Sequence, residues 1–292
     1  MKPYYLLGIL ALTALTMACD VVNPEEDIPA YVYIPDIELQ TRNNTEGTAS
    51  EKITDVWFNL DGNFLGAYPL PALIPILEIN GQELALQAGI KDNGINSTPE
   101  IYPFYQTFTI PISLAPNEVD TIHPVISYQD AAQFAFVEDF ERNAHLFENV
   151  VGNGNINQLE LRTEGAFEGN QSLRIKLDTS GSIVELATTE SFRGLTSQSP
   201  LVYLEVNYRS DVPVVFGVIG RTAGGAPVGA LNPGFSPSEE WNKIYFNLTR
   251  ILFDVNEEEY QVALQAFIPF EEGQLTLESA EVWLDNIKLV HF

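Results

Sequence analysis

The sequence predicts an all-β protein, and three features of its pattern carry this prediction. From Tyr31 onward, short runs that are alternating or wholly apolar are broken by Gly, Pro, Asn and Asp. Scarcely any segment places apolar residues at helical spacing. The Asp61-Gly62 and Asn80-Gly81 pairs supply the positive φ angles that tight hairpins require.

The length of the chain predicts two domains. With 292 residues it can form two domains of ordinary size, each with its own core. Residues 114–133 carry two prolines and mixed polarity, which is typical of a domain junction. We therefore predict a β-sandwich over residues 31–128, a linker over 129–133 and a second domain over 134–292.

The N-terminal segment has the features of an export signal. Lys2 precedes an apolar run over residues 4–17, and small residues lead into Cys19, the single cysteine of the chain. The stretch TMAC that ends at Cys19 resembles the lipobox of bacterial lipoproteins. The resemblance implies that residues 1–18 are a signal peptide and that a diacylglycerol is attached to the sulfur of Cys19.

Two other interpretations of this segment stay open, an ordinary signal peptide with a coincidental cysteine and a single transmembrane helix. The apolar run is shorter than the roughly 20 residues that a membrane span requires. A lone cysteine in an exported protein is also unusual without a role. If Cys19 carries lipid, no disulfide bond forms within the mature chain.

Residues 19–30 form an acidic, proline-containing tether with too few apolar residues to fold alone. The cluster Glu25-Glu26-Asp27 is similar to the export signals of surface lipoproteins of the Bacteroidota. This resemblance implies an anchor in the outer membrane and exposure at the cell surface. A merely flexible acidic linker is the alternative.

The first domain shows six candidate strands in about a hundred residues, which suggests a sandwich of the immunoglobulin type. The candidate strands are residues 31–39, 53–60, 73–79, 83–90, 102–112 and 121–128. The stretch ITDVWFNLDGNFLGAYPLPALIPI resembles the strand, turn, strand and proline pattern of PEGA-like β-sandwich modules. Asp120-Thr121-Ile122 is similar to the O-glycosylation acceptor of exported Bacteroidota proteins, which implies a glycan on Thr121.

Three motifs of the second domain resemble one known fold. An early DFE stretch ends at Glu141, a GNQSLRI strand follows Glu168, and a WLDNI strand containing Asp285 lies close to the end of the chain. Together they resemble the galactose-binding-like jelly roll of carbohydrate-binding modules. The resemblance covers the whole domain and implies two packed antiparallel sheets.

The same resemblance implies a structural calcium ion between the first and last strands of this domain. The matching carboxylates are Asp139, Glu141 and Asp285, with backbone oxygens near Gly169 as further ligands, and calcium favours such hard oxygen donors. Glu138 points to the opposite face from Asp139 if the strand is regular. Alternatively the three acids are surface residues, or Asp285 caps a turn.

Alternation along the strands of the second domain predicts a ligand face. The residues on one face of these strands are apolar, which predicts that they form the core. The residues on the opposite face are a mixture of aromatic, amide and charged side chains. Aromatic faces stack on pyranose rings, and paired polar groups bind hydroxyls. The predicted ligand-binding residues are Tyr203, Glu205, Asn207, Trp241, Lys243, Tyr245 and Phe267. Ordinary cross-strand pairs on a solvated sheet produce the same pattern.

Charge and motif content exclude several functions. Forty acidic and fourteen basic residues give a net charge of −26, which is repelled by nucleic-acid phosphates. The sequence shows no nucleophile elbow, nucleotide loop or histidine metal motif, so we predict no enzymatic activity.

Two non-catalytic classes remain. The first is a membrane-anchored lipoprotein that binds glycan through its second domain. The second is a structural or adhesive lipoprotein with a protein partner. A patch between the domains that buries Tyr203 and Tyr245 would favour the second class. A glycan-active enzyme, which needs a cleft with two facing carboxylates, is the third and weaker alternative.

We predict that Cys19 is lipidated, and mass spectrometry of the mature N-terminus measures this. Because several acyl chains anchor a protein far more firmly than one, Cys19→Ser should release the protein from the membrane fraction. An unmodified Cys19, or a chain that still begins at Met1, would contradict the prediction.

Overall fold

The computed structural model describes residues 27–42, 45–77, 83–150, 158–221 and 224–292. The described residues contain twenty-four strands and one short helix, which confirms the all-β prediction. They contain no helix that is both long and apolar enough to cross a membrane. Residues 1–26, with the predicted signal peptide and lipidation site, lie outside the described ranges.

Ten strands build the first domain. They are Ala30–Ile34 (β1), Glu38–Leu39 (β2), Asp55–Leu60 (β3), Asn63–Pro69 (β4), Ala72–Ile76 (β5), Glu83–Lys91 (β6), Pro99–Ile101 (β7), Phe108–Pro111 (β8), Val119–Thr121 (β9) and Val125–Ile126 (β10). One sheet has the order β5-β1-β9 and another the order β4-β3-β6-β7, with β8 also paired to β6. Strand β1 pairs in parallel with β9, and β2 pairs in parallel with β10.

Two local details of the first domain follow from its sequence, and a third departs from the prediction. The turn between β3 and β4 uses Asp61 at φ 48° and Gly62 at φ 78°, as the pair predicted. The alternation within β1 buries Val32 and Ile34. Of the predicted strand 102–112, only Phe108–Pro111 is strand, because the residues before it turn their aromatic rings toward the second domain.

The second domain is a sandwich of two six-stranded sheets. Its strands are Gln133–Glu138 (β11), Phe147–Asn149 (β12), Leu159–Arg162 (β13), Ser172–Asp178 (β14), Ile183–Thr188 (β15), Phe192–Arg193 (β16), Val202–Ser210 (β17), Val214–Arg221 (β18), Val228–Phe235 (β19), Ser238–Asn247 (β20), Glu259–Phe267 (β21), Phe270–Glu271 (β22), Gln274–Leu275 (β23) and Ser279–His291 (β24). The helix Thr249–Val255 (α1) joins β20 to β21, and β22 and β23 form a separate hairpin.

The two sheets of the sandwich differ in what lies on their outer faces. One sheet packs its outer face against the first domain, and we call it the covered sheet. Its strand order is β13-β14-β24-β17-β20, and β11 also pairs with β24. The other sheet lies on the far side of the sandwich, and we call it the open sheet. Its strand order is β12-β15-β21-β18-β19, and β16 also pairs with β21. A core of alternating apolar side chains fills the space between the sheets.

Aromatic residues of both domains form one continuous core at their interface. Tyr203, Tyr245 and Val290 of the covered sheet belong to the same buried cluster as Tyr102 and Phe104 of the first domain. The ring of Tyr102 lies 5.4 Å from that of Tyr203 and 4.9 Å from that of Tyr245. The first pair is edge-to-face and the second is tilted, and angled ring contacts at these separations stabilise aromatic pairs beyond their burial alone.

Buried charges lie at the centre of this interface. Glu205 accepts hydrogen bonds from the hydroxyls of Tyr102 at 2.7 Å and Tyr128 at 2.8 Å. Its other oxygen lies 2.6 Å from the ammonium of Lys243. A second ammonium, that of Lys288, donates to the Thr48 carbonyl at 2.6 Å. Each of the three charged groups is therefore held by contacts that cross the interface or lie beside it.

Two pKa shifts show how closely this cluster is balanced. Burial by itself raises the pKa of Glu205, but the charges of Lys243 and Lys288 outweigh burial and hold that pKa below its usual range. Burial lowers the pKa of Lys288 to about 7, against the attraction of Glu205. The carboxylate is therefore ionised only because cations face it.

We predict that Lys243→Met lowers the free energy of unfolding by about 3–5 kcal/mol, since it removes one partner of a buried ion pair. Chemical denaturation of the whole chain measures this. The control is Lys176→Met, whose ammonium pairs with Glu160 at 2.7 Å on the surface and should cost less than about 1 kcal/mol. Equal losses in the two variants would contradict a special role for the interface.

Candidate functional site

The structure corrects most of the predicted ligand face. Tyr203, Glu205, Asn207, Lys243 and Tyr245 do share one face of the covered sheet, but each is less than 5% exposed. The first domain covers them, so no saccharide reaches these side chains. Alternation identifies the two faces of a strand, but it does not identify which face another domain covers.

Each of these five residues makes at least one contact across the domain interface. The hydroxyl of Tyr245 accepts a hydrogen bond from the backbone N–H of Lys52 at 3.0 Å. The amide of Asn207 donates to the hydroxyl of Ser50 at 2.8 Å. The sequence pattern of a sugar platform therefore belongs to the surface that joins the two domains.

Trp241 and Phe267 remain partly exposed, and they lie on different sheets. Trp241 lies on β20 of the covered sheet, where its indole N–H donates to the carbonyl of Gly165 at 3.3 Å. Phe267 ends β21 of the open sheet, in register with Ile183. The seven predicted ligand-binding residues therefore do not form one site.

A groove crosses the outer face of the open sheet. Its floor is a cross-strand row of small residues, Ala187, Ala263 and Gly217, in register with Leu231. A cavity of about 290 Å³ lies here, with walls that include Val150, Glu185, Ile219 and Leu231. Only glycine fits at position 217, because the Cβ of any other residue would lie 1.9 Å from the carbonyl oxygen of Ala230.

Polar side chains flank the floor of the groove on both sides. On one side the amide of Gln265 donates to the carboxylate of Glu185. On the other the guanidinium of Arg221 donates to the amide oxygen of Gln261 at 2.8 Å. Val150 is 45% exposed and Ile183 is 56% exposed, so aliphatic surface lies beside these polar pairs. Ligand sites that take hydroxyl groups together with C–H faces combine polar and aliphatic side chains in this way.

Sequence reasoning missed this groove, although its signal was present. Continuing the alternation that placed Gln265 and Phe267 outward also places Gln261 and Ala263 outward. A glycine within a strand, here Gly217, indicates a close backbone approach. The sequence did not show that this sheet, rather than the other, is left uncovered.

The predicted calcium residues lie around a second, smaller cavity. As the resemblance implied, the first and last strands of the domain pair, with Glu138 opposite Ile287. The cavity of about 220 Å³ is lined by Gly47, Thr48, Asp139, Glu141, Glu168, Gly169 and Asn286. Asp285 lies beside it, almost fully buried.

Protein donors already occupy much of this oxygen set. Asp285 accepts from the hydroxyl of Ser172 at 2.6 Å and from its neighbouring backbone N–H at 2.8 Å. Glu141 accepts from the backbone N–H of Asn170 at 2.7 Å and of Gln171 at 3.1 Å. Burial, reinforced by the charge of Glu141, raises the pKa of Asp285 to about 7.

The donor chemistry fits calcium, but the present arrangement does not form a coordination shell. Carboxylate and amide oxygens are the ligands that this ion favours. Within the described ranges, however, no three His, Cys, Asp or Glu side chains come together in an arrangement that would hold a metal ion. Calcium at this site stays a prediction.

The remaining predicted site is Thr121, which lies on β9. Its side chain is exposed on the outer face of the first domain, in register with Tyr33. Glycosylation of Thr121 stays a prediction.

Comparisons with known proteins give likeness of fold only. No family model and no curated protein matches the chain. The chain is similar to solved structures of carbohydrate-binding modules. A family 22 module of Clostridium thermocellum Xyn10B is 11% identical, with 54% of this chain and 92% of that chain covered and a TM-score of 0.36. A family 30 module of Clostridium thermocellum cellulase Cel9D-Cel44B is 13% identical, with 53% and 96% covered and a TM-score of 0.39.

A third similar structure is the module CBM29-2, solved as a mutant in complex with cellulohexaose. It is 16% identical, with 56% of this chain and 92% of that chain covered and a TM-score of 0.33. Because these identities and TM-scores are low, we derive the function of this protein from its own residues.

Proposed function

We propose that this protein is a non-catalytic, membrane-anchored surface lipoprotein that binds a glycan along the groove of its open sheet. One observation carries the proposal. The first domain covers one outer face of the sandwich, and the other outer face holds a groove with a small-residue floor and polar pairs on both sides.

The groove favours a neutral saccharide. Its flanking carboxylate, Glu185, and the net charge of −26 both repel anionic chains. The partly exposed amide of Gln265 offers a donor and an acceptor to hydroxyl groups. The aliphatic side chains of Val150 and Leu231 offer surface to the C–H faces of a pyranose ring. With few aromatic side chains nearby, we expect weak binding.

The tether supports a role at a membrane surface. Residues 19–30 join the predicted lipid anchor to β1, which begins the first domain at Ala30. An extended chain spans at most about 3.6 Å per residue, so the first domain stays near the anchor. The open sheet lies on the opposite side of the second domain from the first domain. In this arrangement the groove points away from the tethered domain.

A protein-binding role is the second candidate, and two observations favour it. Tyr203 and Tyr245 are buried between the domains, as expected of a structural module. The outer face of the β5-β1-β9 sheet also exposes apolar side chains, since Leu73 is 56% exposed beside Tyr33, and Val119 is 55% exposed beside Tyr31. A surface protein of the outer membrane is the partner class we propose for this face.

We further propose that calcium, when bound, is held by Asp139, Glu141 and Asp285, with backbone oxygens near Gly169 as further ligands. Such an ion would neutralise several carboxylates that lie together and would link the first and last strands of the sandwich. It would act on stability and not on chemistry.

We predict that calcium raises the melting temperature of the whole chain and that EDTA lowers it. A ligand that binds only the folded state at a hundredfold excess over its Kd adds about 2.7 kcal/mol. Asp285→Asn should abolish the response to calcium, whereas the surface exchange Asp254→Asn should preserve it. Identical melting curves with calcium and with EDTA would show that the site does not exist.

We predict that Gln265→Leu weakens glycan binding about three- to tenfold, because one polar contact to a ligand contributes roughly 0.5–1.5 kcal/mol. A glycan array screened with the chain from Asp20 onward identifies the saccharide, and calorimetric titration then measures the affinity.

The matched control for this prediction is Gln106→Leu, an exchange on the exposed surface of the first domain. It should bind like the parent. If no saccharide on the array gives a saturable signal, or if Gln265→Leu binds unchanged, the groove is not the ligand site and the protein-binding role takes its place.

A further inference from the structure

A row of alternating arginine and tryptophan side chains crosses the part of the covered sheet that the first domain leaves uncovered. Strand register places Arg174 on β14 opposite Trp283 on β24, and Trp283 opposite Arg209 on β17. Trp241 on β20 continues the row. The guanidinium of Arg209 lies 4.8 Å from the ring centre of Trp283 and 5.8 Å from that of Trp241. Cations at these distances from an indole are attracted to its face.

We propose that Arg209 and Trp241 form a second binding site, for a sugar that carries a carboxylate, such as a uronic acid. This site is separate from the groove of the open sheet, and its existence does not depend on the function proposed for that groove.

The first argument is that Arg209 has no acidic partner. Arg174, in the same row, pairs with Glu160 and, at 3.1 Å, with Glu281. In the part of the chain that the structure describes, no carboxylate forms an ion pair with the guanidinium of Arg209, and no acceptor takes a hydrogen bond from that guanidinium. The chain has forty acidic residues and only fourteen basic ones, so an unpaired arginine is unexpected.

The second argument is that the surroundings fix these two side chains while leaving both partly exposed. The carbonyl of Gly165 accepts the indole N–H of Trp241, and the ring of Phe167 packs 5.3 Å from that of Trp241. Gly165 has φ +81°, and a Cβ there would lie 3.4 Å from a terminal nitrogen of Arg209. The loop thus passes close to the row without a side chain that would cover it.

The third argument concerns the ligand chemistry. A guanidinium presents parallel N–H donors that match the two oxygens of a carboxylate. The ring centres of Trp283 and Trp241 lie 4.8 Å and 5.8 Å from the guanidinium carbon of Arg209, and the N–H donors of this guanidinium have no protein acceptor among the described residues. The exposed part of the Trp241 indole offers a flat surface for the C–H face of a sugar ring. A uronic acid carries a carboxylate and a pyranose ring in one unit.

The net negative charge of the protein explains why an acidic sugar would need a fixed cation at its binding site. A net charge of −26 repels an acidic glycan, and the repulsion falls as salt screens it. The short-range contact with Arg209 has to overcome this repulsion locally. We therefore expect weak binding in which the variant at Arg209 loses more than a variant at any other basic residue.

Tryptophan fluorescence provides a local measurement. The chain has three tryptophans, and two of them, Trp241 and Trp283, belong to the row. In the full chain carrying Trp57→Phe and solubilised in detergent, all tryptophan emission comes from the site. Titration with a galacturonic acid trimer should give a saturable change in emission, and neutral galactotriose should give none.

The variants test the two proposed contacts separately. Arg209→Gln should weaken binding of the galacturonic acid trimer at least tenfold, and Arg209→Lys should lie between Arg209→Gln and the parent because it keeps the charge but loses the paired donors. Trp241→Phe should retain part of the affinity, which calorimetry measures. The control is Arg193→Gln, whose guanidinium pairs with Glu259 at 3.0 Å on the other sheet, and it should bind like the parent.

Three outcomes would overturn the proposal. They are the absence of a saturable signal with the galacturonic acid trimer, unchanged binding by Arg209→Gln, and binding of a sulfated galactose trimer or an oligoglutamate peptide that equals binding of the uronic acid. Gln265→Leu should leave this signal unchanged, so failure here and failure of the groove are distinguishable.

Discussion

The buried ion pair between Glu205 and Lys243 is the interaction on which the arrangement of this protein depends. Neither charge is stable in a protein interior without its partner, and both need the first domain above them. The hydroxyls of Tyr102 and Tyr128 donate hydrogen bonds to the carboxylate of Glu205. If the first domain were removed, the covered sheet would expose aromatic residues and a charged cluster. The second domain is therefore best understood, and best studied, together with the first.

Closure of this interface decides where ligands have access. A sandwich has two outer faces, and the first domain takes most of one of them. Among the described residues, the first domain leaves uncovered the outer face of the open sheet and the margin of the covered sheet beyond Asn207. The two surfaces differ in chemistry, because the first has a small-residue floor flanked by amides while the second presents Arg209 between two indoles. We propose a neutral sugar as the ligand of the first surface and an acidic sugar as the ligand of the second.

The same interface explains why an aromatic and polar pattern misled the prediction of a ligand face. Sugar sites and interdomain contacts use the same side chains, since both need flat apolar surface together with groups that form hydrogen bonds. Tyr245 illustrates this, because its ring packs against Tyr102 and its hydroxyl accepts from the backbone of Lys52. Five of the seven predicted side chains do share one face, but the molecule uses that face to bind its own first domain.

The sequence by itself determined the local features of this protein. The alternation of Val202, Leu204 and Val206 against Tyr203 and Glu205 separated core from outer face, because successive side chains of a strand point to opposite sides. The Asp61-Gly62 turn followed from backbone sterics alone. Only the tertiary structure decided which outer face is covered, since that depends on contacts such as Tyr102 with Glu205, which lie 103 positions apart. A contact between residues so far apart leaves no periodic pattern in the sequence, so only the tertiary structure shows it.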